Sequence, residues 1–290
     1  MKAGFVALLG RPNAGKSTLL NALLGQKLSI VSPKPQTTRH KIIGIRSGDD
    51  HQICFLDTPG LLRDPKDLLQ QSLRRAAQSA ARDDADLALL VVEPHVPSED
   101  DLRELVTLPA RGLPIIVVVN KADLTGKHDA ALAKYSEALK PVSAHKVSAL
   151  KGQGVPELLA DILARLPEGE PFYEPGQLSD RWERFFASEV IREQVFEQYE
   201  QELPHSIAVV VDRYAERPGR PDEVHATLYV ERDGQKGMVL GAKGLALKRL
   251  TSRAQAGIEK LTGRACRLEV WVKVRPNWRK DERSLREFGY

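Results

Sequence analysis

Cysteine is scarce in this chain: Cys54 and Cys266 are the two in 290 residues. Each lies in an apolar run, and neither has a metal-ligand or redox spacing. A reducing compartment is therefore expected, not a disulfide scaffold. No apolar run approaches the roughly 20 residues of a membrane span. The first residues lead straight into a short apolar run, so no signal peptide is expected. What is present, 42% hydrophobic and 28% charged residues, is ordinary for a globular protein. The length suggests two domains, because single cores stop growing near ~250–300 residues.

Net charge is only +4, but its distribution is uneven. Residues 168–233 hold 7 Lys and Arg against 16 Asp and Glu, giving −9, and residues 234–280 hold 12 against 2, giving +10. A compact basic segment far along the chain fits either a polyanion partner or a solvated face balanced by the acidic segment before it.

The most specific stretch is Gly10-Arg11-Pro12-Asn13-Ala14-Gly15-Lys16-Ser17, followed by Thr18. It matches the phosphate-loop pattern G-x-x-x-x-G-K-[ST] at every fixed position. The apolar run 4–9 before it reads as a buried strand. The run 17–24 after it reads as a helix, with Gly25 as its stop. That order aims backbone N–H groups and a helix N-terminus at one spot, which favours polyphosphate. Lys16 would neutralise the β- and γ-phosphates, and the Ser17 hydroxyl would face Mg²⁺.

Residues 32–39 carry two prolines and no periodicity, so they read as a loop. Its place suits a switch over the γ-phosphate, with Thr38 as first choice and Thr37 as second for a hydroxyl on the metal. Strands over 41–46 and 52–56 lead to Asp57-Thr58-Pro59-Gly60-Leu61. At the end of a strand, Asp57 can hold Mg²⁺ through water and the Gly60 N–H can reach the γ-phosphate. The segment 66–82 has helical spacing, 86–92 reads as a strand, and Ser98 caps a helix opening at Glu99.

The buried-strand pattern 113–119 ends in Asn120-Lys121-Ala122-Asp123. A carboxylate there can accept from N1–H and the 2-amino group of guanine, and adenine has neither donor. The Lys121 stem would lie over the base, and the Asn120 amide would tie loops together. A strand over 141–147 is followed by Ser148-Ala149-Leu150, whose N–H groups can meet the guanine carbonyl, and a helix over 154–166 closes a doubly wound, mostly parallel α/β sheet. The domains are expected at 1–167 (GTP-binding), 180–276 (RNA-binding), with a linker at 168–179 and a tail at 277–290.

The second domain reads as a helix over 180–202, with Trp182, Phe185, Phe186, Val190, Ile191 and Phe196 as its apolar positions. Strands over 206–214 and 223–231 follow, then a turn, then Gly241-Ala242-Lys243-Gly244 before a basic helix over 245–261 and a strand over 267–274. A G-x-x-G entering a helix is the device by which KH domains bring backbone close to sugar-phosphate. The small apolar positions Ala242 and Leu245–Leu247 suit a groove for unpaired bases better than duplex, and Lys248 and Arg249 in the first turns of the helix are further RNA-binding candidates. Trp271, Trp278 and Tyr290 are candidates either for base stacking or for packing.

Taken together, these motifs resemble the Era family of bacterial Ras-like GTPases with a C-terminal, type II KH domain. The likeness rests on Gly10–Ser17, the run Pro35-Gln36-Thr37-Thr38-Arg39-His40, Asp57–Gly60, Asn120–Asp123, Ser148–Leu150, Val230-Glu231-Arg232, Gln235-Lys236, Gly241–Gly244, residues 268–274 and the ending Phe288-Gly289-Tyr290. The resemblance implies GTP hydrolysis to GDP with Mg²⁺, a monomer in the cytoplasm, binding near the 3′ end of small-subunit ribosomal RNA, and a role in small ribosomal subunit maturation. It also implies peripheral association with the inner membrane. Leu61 stands where Ras-type enzymes carry a water-positioning Gln, so slow intrinsic hydrolysis is expected. Two completions are open: K⁺ held by Asn13, or a partner such as the ribosome. A GTPase whose basic surface meets anionic membrane is the competing reading.

Overall fold

The computed structural model describes residues 1–61, 64–82, 85–106 and 112–290. They form two compact units, one of residues 1–29, 38–65 and 70–180, the other of residues 30–37, 66–69 and 181–290.

The first unit is built on six strands: β1 (Lys2–Leu9), β2 (Ile42–Ser47), β3 (His51–Asp57), β4 (Leu87–Val92), β5 (Ile115–Val119) and β6 (Ser143–Lys146). Their order is β2-β3-β1-β4-β5-β6. All neighbours are parallel except β2 with β3. The sequences of β4 (LALLVV) and β5 (IIVVV) are buried at every position. Such runs need cover on both faces, which the helices supply. Leu19, Leu20 and Leu23 of α1 (Lys16–Leu24), with Leu158 and Ile162 of α5 (Val155–Arg165), close one face. The other face packs on Ala77 of α2 (Leu68–Arg82), Leu105 of α3 (Glu99–Val106), and Ala131 and Tyr135 of α4 (His128–Leu139). Each fully buried leucine contributes about 2 kcal/mol.

α4 is absent from the sequence-based expectation. Its buried positions are only Ala131 and Tyr135, a stripe too narrow to stand out from its polar neighbours. The cap of α3 is reciprocal: the Ser98 N–H donates to Asp101 Oδ2 (2.9 Å) and the Asp101 N–H to Ser98 Oγ (3.2 Å).

The second unit has α6 (Glu183–Gln198), the strands β7 (Ala208–Ala215) and β8 (Asp222–Val230), α7 (Asp233–Leu240), α8 (Leu245–Thr262), β9 (Cys266–Val274) and α9 (Glu282–Glu287). Its sheet runs β7-β8-β9, with β7/β8 antiparallel and β8/β9 parallel. Val224, Ala226, Leu228 and Val230 of β8 alternate inward onto Ile191 and Val195 of α6 and Leu250, Ala254 and Ile258 of α8. That is the α+β arrangement expected of a helix-first KH domain.

Three details depart from the expectation. The turn before Gly241 contains a helix, α7. Two glycines weaken its propensity, and Gln235 Oε1 caps it by accepting from the N–H groups of Glu231 (2.9 Å) and Arg232 (3.2 Å). Trp182 is not a core residue: it stands just ahead of α6 in extended backbone and is 86% exposed. Helical spacing does not apply there. Finally, α6 buries charge as well as apolar surface. Glu189, Arg192 and Glu193 are all buried. Arg192 Nε donates to Glu189 Oε1 (2.9 Å), and the guanidinium also reaches the Thr37 carbonyl. Lys34 Nζ donates to the Phe196 carbonyl (2.5 Å), so residues 30–37 are tied into this unit.

Candidate functional site

β1 lies between β3 and β4, so the chain leaves the sheet in opposite senses around its carboxyl end. Open α/β sheets bind ligands at such a point. The loop from Gly10 to Gly15 leaves β1 there. Gly10 and Gly15 have φ of 143° and 91°, and a Cβ at Gly15 would collide with the Asn120 amide. Asn13 is also left-handed, with φ 65°. Alternating backbone handedness turns N–H groups inward as a concave nest.

Lys16 is buried, and its ammonium donates to the carbonyls of Gly10 (3.1 Å) and Arg11 (3.0 Å). Burial pushes its pKa from 10.5 down to about 8, with the nearby Asp57 carboxylate partly offsetting that. Ser17 Oγ lies 2.8 Å from Thr38 Oγ1 and donates to Asp57 Oδ2 at 2.8 Å. Three oxygen donors, two neutral and one anionic, thus converge. Mg²⁺ is commonly bound by one or two carboxylates with phosphate and water, and this donor set fits it. Thr37 points elsewhere: its hydroxyl donates to the Lys34 carbonyl at 2.7 Å.

Thr58 is buried and donates to the Leu8 carbonyl at 2.8 Å, which fixes Asp57–Gly60 against β1. A Cβ on Gly60 would stand 2.5 Å from the Pro12 nitrogen, so only glycine allows this approach. The Leu61 N–H donates to the Gly10 carbonyl at 3.0 Å, and its side chain is buried in the apolar cluster beneath. Arg11 pairs with Asp101. Thr18 is half-buried on α1, and Pro59 is buried.

Asn120 sits at the end of β5. Its Nδ2 donates to the Ala14 carbonyl (2.9 Å), and its Oδ1 accepts from the Ala149 N–H (3.0 Å). One buried amide thereby joins three loops. Ser148 Oγ donates to Asp123 Oδ1, and this hydroxyl holds the Asp123 carboxyl below its usual range. Lys121 is ion-paired with Glu93, a residue outside the Asn120–Asp123 motif. Leu150 is exposed.

In the second unit Gly241–Gly244 forms a tight turn into α8. Gly241 (φ 69°, ψ −177°) occupies a region essentially closed to other residues. Ala242 and Lys243 are exposed. Beside the turn opens a cleft of about 370 Å³, lined by Gly244, Leu247, Lys248, Thr251 and Ser252 on one side and Leu268–Trp271 of β9 on the other. Arg249 is exposed, but it is not among the lining residues. Thr251, Ser252 and Glu269 are the polar groups that the motif alone misses. The first two are one helical turn beyond Leu247 and Lys248, a spacing that could have exposed them. Trp278 is fully buried, its Nε1 donating to the Ser206 carbonyl at 2.9 Å. Tyr290 stacks on it at 5.9 Å. Among the three aromatic candidates, these two pack and Trp271 stays 45% exposed.

Comparison with known proteins agrees with both halves. Residues 5–121 match the model described as 50S ribosome-binding GTPase, and residues 202–279 match the KH domain model. The chain is 41% identical to GTPase Era of Xanthomonas axonopodis pv. citri, over 100% of this chain and 97% of that protein. It is 44% identical to GTPase Era of Carboxydothermus hydrogenoformans, over 100% and 98%. A crystal structure of an Aquifex aeolicus Era variant bound to GDP·AlF4⁻ superposes with a TM-score of 0.92 at 36% identity, covering 100% of this chain and 99% of that one. The structure of Era in complex with MgGDPNP and nucleotides 1506–1542 of 16S ribosomal RNA gives the same TM-score, identity and coverage.

Proposed function

The chain belongs to the Era family of GTPases, and from that premise we propose that it is a GTP-dependent switch in the assembly of the small ribosomal subunit. One observation carries this: a single chain holds both a converging Ser17–Thr38–Asp57 oxygen set behind a phosphate loop and a G-x-x-G turn opening onto a cleft. In this reading the Gly10–Thr18 backbone and the Lys16 ammonium hold the phosphates. Asp57–Leu61 faces the γ-phosphate through the Gly60 N–H. Asn120, Lys121, Asp123 and Ser148–Leu150 hold guanine. Ser17, Thr38 and Asp57 would hold Mg²⁺, which supplies charge neutralisation at the β- and γ-phosphates.

Hydrolysis by this chain alone is slow in our reading, because no side chain offers a carboxamide at position 61. Leu61 is turned into the core and cannot orient water. K⁺ beside Asn13, or the ribosomal particle, completes the site. If Asn13→Ala and exchange of K⁺ for Na⁺ both leave the rate unchanged, the ion drops out.

The RNA is the single-stranded 3′ end of small-subunit ribosomal RNA, bound by Gly241–Gly244, Lys248 and Arg249. The related Era bound to 16S nucleotides supports this choice. The protein acts as a monomer in the cytoplasm, where subunits assemble. Among the described residues no helix is long and apolar enough to cross a membrane. The test is GTP hydrolysis with and without an oligonucleotide copying that 3′ end, with Gly241→Asp and Gly244→Asp as controls. Stimulation lost in the controls supports a coupled switch. Absence of RNA binding, with sedimentation on anionic liposomes instead, would replace the proposal by the membrane reading.

A further inference from the structure

Trp271 lines the G-x-x-G cleft but has no part in the RNA contacts assigned above to Gly241–Gly244, Lys248 and Arg249. It lies on the edge strand β9, at the lip of the cleft that begins at Gly244. Residues alternate faces along a strand. Leu268 and Val272 point inward to the core, so Trp271 and Lys273 share the outer face of the sheet. On that face the C-terminal segment covers part of the surface: the Phe288 ring lies 4.8 Å from that of Tyr229. The cover stops short of Trp271, which is 45% exposed.

The ring is not loose. His225 of β8 meets it edge-on at 5.4 Å and 77°, so one side is braced while part of the indole faces solvent. Lys273 is exposed two residues along the same face, and Lys248 is exposed across the cleft. Glu269, on the same face, also lines the cleft, and its carboxylate is paired with Arg267 at 3.4 Å. A braced, half-exposed aromatic ring with lysines nearby is a combination that holds unpaired nucleotides, base on ring and phosphate on ammonium.

We propose that Trp271 is a stacking platform for the nucleotide that leaves the G-x-x-G cleft, a base subsite on the outer face of the sheet. It rests on the RNA reading of the cleft given above. The occupant is single-stranded RNA, because Gly244 and Trp271 line the same cleft, so a strand held at the G-x-x-G turn passes the edge of β9 that carries the ring. A G-x-x-G turn clamps about four nucleotides, so the platform engages only longer RNA. Stacking tolerates any base, so the subsite adds affinity without sequence choice.

The test uses the full chain and two labelled RNAs from the 3′ end of small-subunit ribosomal RNA, one of about four nucleotides and one of about nine. Trp271→Ala should weaken the longer RNA by roughly tenfold to a hundredfold and leave the shorter nearly unchanged. Trp271→Phe should retain most of the affinity. In a Trp182→Phe protein the remaining exposed indole is Trp271, since Trp278 is buried; its fluorescence should be quenched by the longer RNA and not by the shorter. This readout stands even if Trp271→Ala folds poorly. Equal losses on both lengths, or unchanged affinity with no quenching, would overturn the platform. If Gly244→Asp leaves both RNAs bound, the cleft reading itself is wrong, a separate failure.

Discussion

Lys16 should make nucleotide binding take up a proton, and the amount follows from its surroundings. In the nucleotide-free fold its pKa is pushed down to about 8 because the ammonium is buried, with only Asp57 opposing that. Bound phosphates would bring negative charge to within contact and raise the pKa again, so that the ammonium stays protonated in the complex. At pH 8.5 about one quarter of free Lys16 carries a proton, against essentially all in the complex, so binding takes up about 0.75 proton. At pH 7 about nine-tenths is already protonated, and uptake falls to about 0.1. Affinity should therefore drop about fourfold between pH 7 and pH 8.5. Isothermal titration calorimetry with Mg·GDPNP, run at both pH values in two buffers of different ionisation enthalpy, reads the uptake directly. Equal uptake at both pH values would refute the argument.

The same shift has a stability side. Between about pH 8 and 10.5 the unfolded chain holds a proton that the folded one has lost. The nucleotide-free protein should therefore gain stability as pH rises through that window, by about 3 kcal/mol in total from this group.

Other perturbations test other parts of the site. Leu61→Gln should not speed hydrolysis; it should lower stability by about 1–3 kcal/mol, seen in thermal unfolding, because position 61 is buried among apolar side chains and an amide there loses water. Asp123→Asn should cost GTP roughly a hundredfold in affinity and favour xanthosine triphosphate, whose C2 carbonyl can accept from the new amide; unchanged GTP binding in a filter assay would remove Asp123 from base recognition. Arg192→Met should destabilise the second unit by about 3–5 kcal/mol in chemical denaturation, since it leaves the buried Glu189 carboxylate without its guanidinium. Gly60→Ala should impair GTP binding, because its Cβ has only 2.5 Å to the Pro12 nitrogen.

Much of the first unit is legible in the residues alone. Continuous apolar runs such as 87–92 and 115–119 have one stable fate, a central strand covered on both faces, and the motifs fall at the carboxyl ends of those strands because the chain must turn there. The second unit reads less directly. α7 carries two glycines and is held by Gln235, a contact between residues that no propensity scale registers. The helix 183–198 looks like an apolar stripe, yet it buries Glu189, Arg192 and Glu193 beside that stripe. Charged residues read as solvent-facing until a partner is seen.

Local chemistry therefore determined the strand–loop–helix units and the residue types at their tips: these depend on neighbours within a few positions along the chain. Only the tertiary structure decided which of Thr37 and Thr38 meets Ser17, which aromatic side chains pack and which stays open, and where Lys121 and Arg11 find their carboxylates. Those outcomes depend on residues tens of positions apart, brought together by the order of the sheet, and no period in the sequence encodes that distance.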